Sequence, residues 1–105
     1  MTSKNDKIRG CLVGGAIGDA LGYAVEFQRE PQIFSRYGKD GITEYDLDKK
    51  TGKALISDDN QMTLFTATGI MVRSENGILY DIERSYFDWL TTQYYSFKNE
   101  KWVID

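Results

Sequence analysis

Apolar residues recur at helical intervals along three parts of the chain. The intervals predict a first helix over residues 5–21, a second over residues 58–73 and a third from Ile82 towards Tyr94. The second helix is apolar on nearly all of its sides, which is typical of a helix buried by its neighbours. The third carries a single apolar stripe and is predicted to be amphipathic, with its aromatic residues in the core. The stripe consists of Ile82, Tyr86, Trp89 or Leu90, and Gln93 or Tyr94.

The predicted first helix is unusually rich in glycine. Its glycines, with one that directly follows it, are Gly10, Gly14, Gly15, Gly18 and Gly22. A glycine inside a helix costs about 0.5–1 kcal/mol relative to alanine. We therefore expect a compensating close approach by another backbone or a ligand, and hence a tightly packed internal helix. A phosphate-binding loop is disfavoured, because the run lacks a Lys-Ser/Thr ending and no strand precedes it.

A long connection, residues 28–56, separates the first two predicted helices. It contains the only proline of the chain, Pro31, which favours a short helical turn over residues 31–37. Brief strands are possible over residues 42–47 and 53–56. Connections of this length are uncommon in compact domains unless they carry function. We therefore predict an irregular loop, with possible short strands, that lies over a site.

Composition limits the classes of function. The chain has 105 residues, enough for one domain, and its 13 basic and 16 acidic residues give a net charge of -3 without a long basic run. Nucleic-acid binding is therefore not indicated. One cysteine and no histidine exclude an internal disulfide, a cysteine-based zinc site and a histidine-dependent triad. No apolar run approaches the roughly 20 residues that cross a bilayer, and the polar first residues do not indicate export, so we expect a cytoplasmic protein.

Three oxygen-bearing side chains, Ser57, Asp58 and Asp59, open the predicted second helix. Ser57 is the expected N-cap, accepting a hydrogen bond from the N–H of Asp59 or Asn60. The two carboxylates would then lie in the first turn, where the helix dipole favours negative charge. Three hard oxygen donors can also converge on Mg²⁺, Mn²⁺ or Ca²⁺. These residues alone leave both interpretations open, ordinary capping and a divalent-metal site.

Two further carboxylates stand among apolar residues. Asp19 lies in the first helix at a position predicted to face inward, where it must be paired or hydrogen-bonded. It would either support a site or cap a neighbouring loop. Glu26 lies between Val25 and Phe27, and an apolar setting is one way of preparing a catalytic carboxyl group. The alternative is an exposed glutamate on a strand or turn.

Three stretches taken together carry a family resemblance. They are RGCLVGGAIGDALG at residues 9–22 followed by Val25-Glu26-Phe27, SDDNQMT at residues 57–63, and YFDWLTTQ at residues 86–93. In this order, over nearly the whole chain, they resemble the opening helix, the first metal motif and the following Tyr-x-x-Trp helix of the ADP-ribosylglycohydrolases. This family includes the dinitrogenase reductase-activating enzymes.

The resemblance implies an all-α fold and hydrolysis of the glycosidic bond between ADP-ribose and a protein side chain, or a related small ADP-ribose conjugate. It also implies a pair of Mg²⁺ or Mn²⁺ ions. Ser57, Asp58 and Asp59 match the family's N-terminal metal ligands. Glu26 matches a glutamate assigned to substrate gating or acid-base work, so the implied catalytic residues are Glu26, Asp58 and Asp59.

The chain departs from the family pattern in two ways. Asn60 stands where the family commonly has threonine, and the family's second metal motif, Asp-x-Asp-Thr, has no counterpart after Asp59. We therefore expect the N-terminal portion of a single domain over residues 1–105, with a complementary C-terminal chain as a candidate source of further ligands. The alternative is a non-catalytic helical module for structure or binding, derived from the same fold.

Overall fold

The computed structural model describes residues 2–94, and within that range the chain is all-α. Its helices are α1 (Lys4–Tyr23), α2 (Glu30–Tyr37), α3 (Asp58–Val72) and α4 (Ile78–Tyr94). The helices predicted from the apolar intervals are confirmed, and α4 begins one turn before the first residue of its stripe. No helix in the described range is long and apolar enough to cross a lipid bilayer.

The chain is organised as two compact units, Met1–Asn60 and Gln61–Asp105. The first unit contains α1, α2, the long loop and the start of α3, and the second contains the rest of α3 together with α4. All of the predicted site residues belong to the first unit: Glu26, Ser57, Asp58 and Asp59.

α1 begins at a reciprocal cap between Ser3 and Asp6. The Asp6 N–H donates to the Ser3 hydroxyl oxygen at 3.1 Å, and the Ser3 N–H donates to the Asp6 carboxylate at 3.2 Å. These bonds satisfy N–H groups that a helix start leaves without intrahelical partners. Hydrogen bonds from the Ser3 hydroxyl and the Ser3 N–H also hold the pKa of Asp6 below its ordinary value.

The expectation that α1 is internal and closely packed is wrong for most of its length. Several of its apolar side chains are about half exposed: Ile8, Val13 and Ile17. At most of its glycines an added Cβ atom would meet nothing within 4 Å, namely at Gly10, Gly14, Gly18 and Gly22. At Gly15 a Cβ atom would lie 3.8 Å from Asn60 Oδ1, which is an ordinary contact. Most glycines of α1 therefore face open space and are not in close contact with another part of the described chain.

α2 confirms the helical turn predicted over residues 31–37. Pro31 lies in its first turn, and the N–H of Arg29 donates to Gln32 Oε1 at 2.9 Å. The helix ends at Gly38, whose φ of 92° favours glycine and whose N–H donates to the Phe34 carbonyl at 2.9 Å.

The loop between α2 and α3 contains no strand, so the brief strands predicted over residues 42–47 and 53–56 are wrong. Its backbone closes a tight turn instead, in which the Gly52 N–H donates to the Asp48 carbonyl at 2.7 Å. The Asp48 carboxylate accepts from the Thr51 N–H at 2.8 Å and from the Thr51 hydroxyl at 2.9 Å. Local side-chain bonds of this kind compete with a sheet ladder for the same backbone groups. They also hold the pKa of Asp48 below its ordinary value.

Asp46 ties the same loop back to α2. Its Oδ2 accepts a hydrogen bond from the Tyr37 hydroxyl at 2.6 Å and lies 2.6 Å from Nη2 of Arg36. Arg36 is more than half exposed, so the ion pair contributes at most about 1 kcal/mol. The hydrogen bond to Asp46 raises the pKa of Tyr37, because the phenol must stay protonated to donate it.

We predict that Asp46→Asn lowers the pKa of Tyr37 towards its ordinary value of about 10, because the acceptor loses its charge. Since folding raises the pKa of Tyr37, the bond to Asp46 stabilises the fold below about pH 10, and this contribution is lost as the pH rises through the pKa of the folded state. Titration of the tyrosine Cζ resonances by NMR measures the change. The other tyrosines serve as internal controls, and an unchanged Tyr37 titration would contradict the assignment.

In the second unit, α3 and α4 pack antiparallel. The contacting pairs are Gln61 with Trp89, Thr66 with Tyr86, the Phe65 carbonyl with the Ser85 hydroxyl, and Gly69 with Ile82. Residues later along α3 thus meet residues earlier along α4. Because Ile82, Tyr86 and Trp89 all make these contacts, the stripe predicted on α4 is confirmed as the face that meets α3. The expectation that its aromatic residues lie in the core is wrong, since Tyr86 and Trp89 are only partly buried.

The expectation that α3, apolar on nearly all of its sides, is buried by its neighbours is wrong. Leu64 is 44% exposed, Ile70 is 47% exposed and Met71 is 71% exposed. Across residues 2–94, Ala20 is the only buried residue with an apolar side chain. Polar contacts therefore account for much of what fixes the helix positions in each unit.

At Gly69 the backbone of α4 lies very close to α3. A Cβ atom on Gly69 would lie 2.7 Å from the Cα atom of Ile82 and 3.0 Å from the Asp81 carbonyl oxygen. Real Cβ atoms do not tolerate such distances to backbone, which cannot rotate away as a side chain does. The sequence predicted a close approach at the glycines of α1, and did not predict this one on α3.

We predict that Gly69→Ala lowers the free energy of unfolding by about 1–3 kcal/mol, because the methyl group forces α4 away from α3. Gly14→Ala is the matched control, since it places the same methyl group in open space on α1. There the higher helix propensity of alanine should raise the free energy of unfolding by about 0.5–1 kcal/mol. Urea denaturation followed by far-UV circular dichroism measures both, and a Gly69→Ala protein as stable as the parent would refute the steric argument.

Candidate metal centre

Ser57 lies at the end of the long loop, directly before α3, and is held there by Asp19 of α1. The Ser57 N–H donates to Asp19 Oδ2 at 2.6 Å, and the Ser57 hydroxyl donates to Asp19 Oδ1 at 2.6 Å. We call this two-bond arrangement the Asp19–Ser57 clamp. It leaves Ser57 only 4% exposed. The prediction that Asp19 is hydrogen-bonded is confirmed, and its partner is the residue that precedes the two candidate carboxylates.

The hydroxyl group of Ser57 has one proton and two lone pairs. The proton is donated to Asp19, and one lone pair accepts a hydrogen bond from the Asp59 N–H at 3.2 Å. The predicted capping role of Ser57 is therefore confirmed, with Asp59 as the donor. Among residues 2–94 this oxygen has no other hydrogen-bond partner, which leaves one lone pair.

Asp58 and Asp59 are exposed residues in the first turn of α3. The N–H groups of that turn and the helix dipole both favour negative charge at this place. The two carboxylates are thus accessible to a cation in solution while remaining next to the buried Ser57. Asn60, which completes the turn, is only 5% exposed.

Glu26 lies in the turn that follows α1, where its N–H donates to the Tyr23 carbonyl at 3.3 Å. Both Glu26 and the neighbouring Phe27 are exposed, Phe27 to 90%. Glu26 therefore lies on an exposed turn. The sequence had left this position open as the alternative to an apolar setting.

Acidic side chains do not form a larger cluster in the described part of the chain. Among residues 2–94, no three His, Cys, Asp or Glu side chains are grouped so that they could hold a metal ion. The structure brings Asp19, Ser57 and Asp59 together through hydrogen bonds, and it does not place Glu26 in a metal-holding group with Asp58 and Asp59. The assignment of Glu26, Asp58 and Asp59 as catalytic residues stays a prediction.

The long loop lies against the C-terminal end of α1. A cavity of about 150 Å³ is lined on the α1 side by Ala20, Tyr23 and Ala24, and on the loop side by Asp46, Asp48 and Leu55. Ala20 directly follows Asp19, so the loop passes close to the helical turn that carries the clamp. The residues that line this cavity include none of the predicted metal ligands.

The second unit contains another clamp of the same kind, which the sequence did not predict. The Ser74 N–H donates to Asp81 Oδ2 at 2.9 Å, and the Ser74 hydroxyl donates to Asp81 Oδ1. The Ser74 oxygen also accepts a hydrogen bond from the Asn76 N–H at 3.3 Å. A buried aspartate on a helix was the available signal, since Asp81 is 4% exposed, but its partner depends on tertiary structure.

Gln61 organises a polar cluster that the sequence also did not predict. Its Oε1 accepts from Trp89 Nε1 at 3.1 Å and from Gln93 Nε2 at 3.2 Å. Trp89 was expected as a core aromatic, and its indole N–H explains why a polar side chain lies opposite, because a buried indole N–H needs an acceptor.

Comparison with known proteins identifies the family. The family model of the ADP-ribosylglycohydrolases matches residues 1–104, which is nearly the whole chain. The chain belongs to the ADP-ribosylglycohydrolase family. No curated protein and no solved structure matches it. The predicted resemblance is thereby confirmed, and so is the all-α fold that it implied.

ADP-ribosylglycohydrolases are hydrolases that act on ADP-ribosylated substrates and generally depend on two Mg²⁺ or Mn²⁺ ions. The donors at the head of α3 fit such ions chemically. A hydroxyl oxygen with a remaining lone pair and two accessible carboxylates are all hard oxygen ligands. In number they fall short, because each ion takes about six oxygens and two ions would need further ligands or water.

Proposed function

We propose that this chain supplies the N-terminal metal ligands of an ADP-ribosylglycohydrolase. The reaction would be hydrolysis of the glycosidic bond between ADP-ribose and a protein side chain, or of a related small ADP-ribose conjugate. Ser57, Asp58 and Asp59 would bind Mg²⁺ or Mn²⁺, and Glu26 would act with Asp58 and Asp59 in catalysis. The observation that carries the proposal is the Ser57 hydroxyl, which is fixed by Asp19 and keeps one lone pair at the head of a helix with two accessible carboxylates.

The proposed roles follow from charge. Bound divalent ions would orient the ribose hydroxyls and activate water. Asp58 and Asp59 would offset the charge of those ions, and the buried Ser57 would fix the edge of the site. Glu26, on the accessible turn after α1, would place a carboxylate near the anomeric carbon. Positive charge develops there during glycoside cleavage, and a carboxylate can stabilise it or transfer a proton.

Three side chains cannot surround two ions. We propose that the remaining oxygen ligands come from water or from a complementary C-terminal chain that carries an Asp-x-Asp-Thr motif. This arrangement would make the isolated 105-residue chain weakly active or inactive.

A second candidate function is a non-catalytic helical module of the same family. It is favoured by the Ser74–Asp81 clamp, which has the same hydrogen bonds as the Asp19–Ser57 clamp and serves a loop in the second unit. A serine held by an aspartate is thus not by itself a sign of metal binding. Measurements of metal binding and of hydrolysis distinguish the two candidates.

Metal binding should stabilise the folded protein. We predict that Mn²⁺ or Mg²⁺ raises the melting temperature, and that the double variant Asp58→Ala, Asp59→Ala abolishes the rise. A free ion concentration of one hundred times Kd corresponds to about 2.7 kcal/mol of stabilisation. Differential scanning fluorimetry with increasing Mn²⁺ measures the shift.

The matched control is Glu75→Ala with Glu83→Ala, which removes two exposed carboxylates from the second unit. This variant should keep the full metal-dependent shift. No shift in the parent chain, either alone or with a second chain that carries the Asp-x-Asp-Thr motif, would refute the metal site and leave the non-catalytic module as the better candidate.

Hydrolysis should depend on Glu26. We predict that release of ADP-ribose from an ADP-ribosylated peptide requires Mn²⁺ or Mg²⁺ and falls by about 10²–10⁴-fold in Glu26→Gln, the usual contribution of a positioned acid or base. Glu30→Gln, at another exposed glutamate of the first unit, is the control and should keep the parent rate.

The assay is run with the chain alone and with a second chain carrying the Asp-x-Asp-Thr motif, and chromatography detects free ADP-ribose. Release in either setting supports the hydrolase. If no ADP-ribose is released in either setting in the presence of metal, the non-catalytic module is favoured.

A further inference from the structure

We propose that Asp19 is a positioning residue for metal binding and acts through the hydroxyl group of Ser57. This inference rests on the proposed role of Ser57 as a metal ligand. Asp19 accepts both the N–H and the O–H of Ser57 at 2.6 Å, so it fixes the backbone and the rotation of the hydroxyl group together. With the proton directed at Asp19, the oxygen keeps a lone pair that is not blocked by its own hydrogen.

A serine hydroxyl is a weak metal ligand unless its proton is directed elsewhere. A free hydroxyl rotates among staggered positions, and in some of them its hydrogen would face the cation. Asp19 removes those positions, and hydrogen bonding to a carboxylate makes the oxygen a better donor. Partners of this kind orient ligands in known metal sites, and their loss usually weakens metal affinity by about 10–100-fold.

The hydrogen bond from the Asp59 N–H reinforces the same orientation. Because Asp59 donates to the Ser57 oxygen at 3.2 Å, one of its two lone pairs is occupied and the direction of the other is fixed. Ser57 thus has a single direction in which it can bind a cation. That direction is set by two partners from different parts of the chain, α1 and the first turn of α3.

Asp19→Asn tests this arrangement with a minimal change of shape. An asparagine Oδ1 can accept one of the two bonds from Ser57, but its NH₂ group is a donor. If that NH₂ group faces the hydroxyl, it donates to the Ser57 oxygen and occupies the lone pair intended for the cation. We expect the Kd for Mn²⁺, measured by isothermal titration calorimetry, to rise by about 10–100-fold.

Asp81→Asn is the matched control. It makes the same chemical change in the Ser74–Asp81 clamp, where the serine is not followed by paired aspartates. A loss of stability common to both clamps should appear in both variants as a lower melting temperature without metal. Only Asp19→Asn should change the Kd for Mn²⁺.

A double-mutant cycle with Ser57→Ala distinguishes positioning from simple charge. If Asp19 acts through the hydroxyl group, Asp19→Asn should not weaken Mn²⁺ binding further once Ser57 is alanine. If Asp19→Asn weakens Mn²⁺ binding by the same factor in the Ser57→Ala variant as in the parent chain, Asp19 attracts the cation only by its charge. That result would overturn the proposal.

The remaining outcomes are also decisive. If the parent chain binds Mn²⁺ and Asp19→Asn binds it equally well, the positioning role is refuted while the proposed metal site stands. If the parent chain does not bind Mn²⁺, either alone or with a second chain that carries the Asp-x-Asp-Thr motif, the metal site and the positioning role fail together. Should Asp19→Asn lose its helical circular dichroism signal, Asp19→Glu is measured instead. Its carboxylate keeps the charge but displaces the acceptor oxygens, and an unchanged Kd in that variant would overturn the proposal.

Discussion

The pair of hydrogen bonds between Asp19 and Ser57 is the constraint on which the first unit depends. It joins residues 38 positions apart in sequence and so closes the segment that contains α2 and the long loop. Ordering such a segment costs conformational entropy, and a partly buried carboxylate without partners would cost more. The two bonds meet both demands, since they satisfy both oxygens of Asp19 and fix the residue at which α3 begins.

Polar contacts of this kind are more prominent than buried apolar side chains in both units. In the second unit the Ser85 hydroxyl donates to the Phe65 carbonyl, and Thr66 shares a hydrogen bond with Tyr86 at 2.6 Å. A neutral hydrogen bond adds only about 0.5–1.5 kcal/mol net, yet it fails unless distance and direction are both right. Such contacts therefore define the register between α3 and α4, which apolar packing alone fixes less strictly.

The features that the sequence predicts correctly are those with local signals. Apolar intervals placed the main helices, and Asp19 had to be hydrogen-bonded because a carboxylate on an apolar helix needs partners wherever the fold takes it.

Helix packing was not predictable, since a glycine permits close approach without supplying the neighbour. Most glycines of α1 have open space, whereas Gly69 meets the backbone of Ile82. Brief strands were predicted in the loop, but the Asp48 side chain satisfies its turn locally. Glu26 had an apolar sequence context and lies on an exposed turn, because its apolar neighbours do not cover it.

Comparison of the two serine clamps separates the structural role of a clamp from the metal binding that is proposed for Ser57, Asp58 and Asp59. Both hold a serine by its N–H and O–H, so the clamp itself is a device for fixing loops. The difference lies in the next two residues. Ser74 precedes a loop with a single carboxylate at Glu75, whereas Ser57 precedes Asp58 and Asp59 in the first turn of a helix. Adjacent carboxylates repel each other, and a helix N-terminus and a bound cation both offset that repulsion. In the proposed metal site the paired aspartates would therefore have a role that capping by Ser57 alone does not give them.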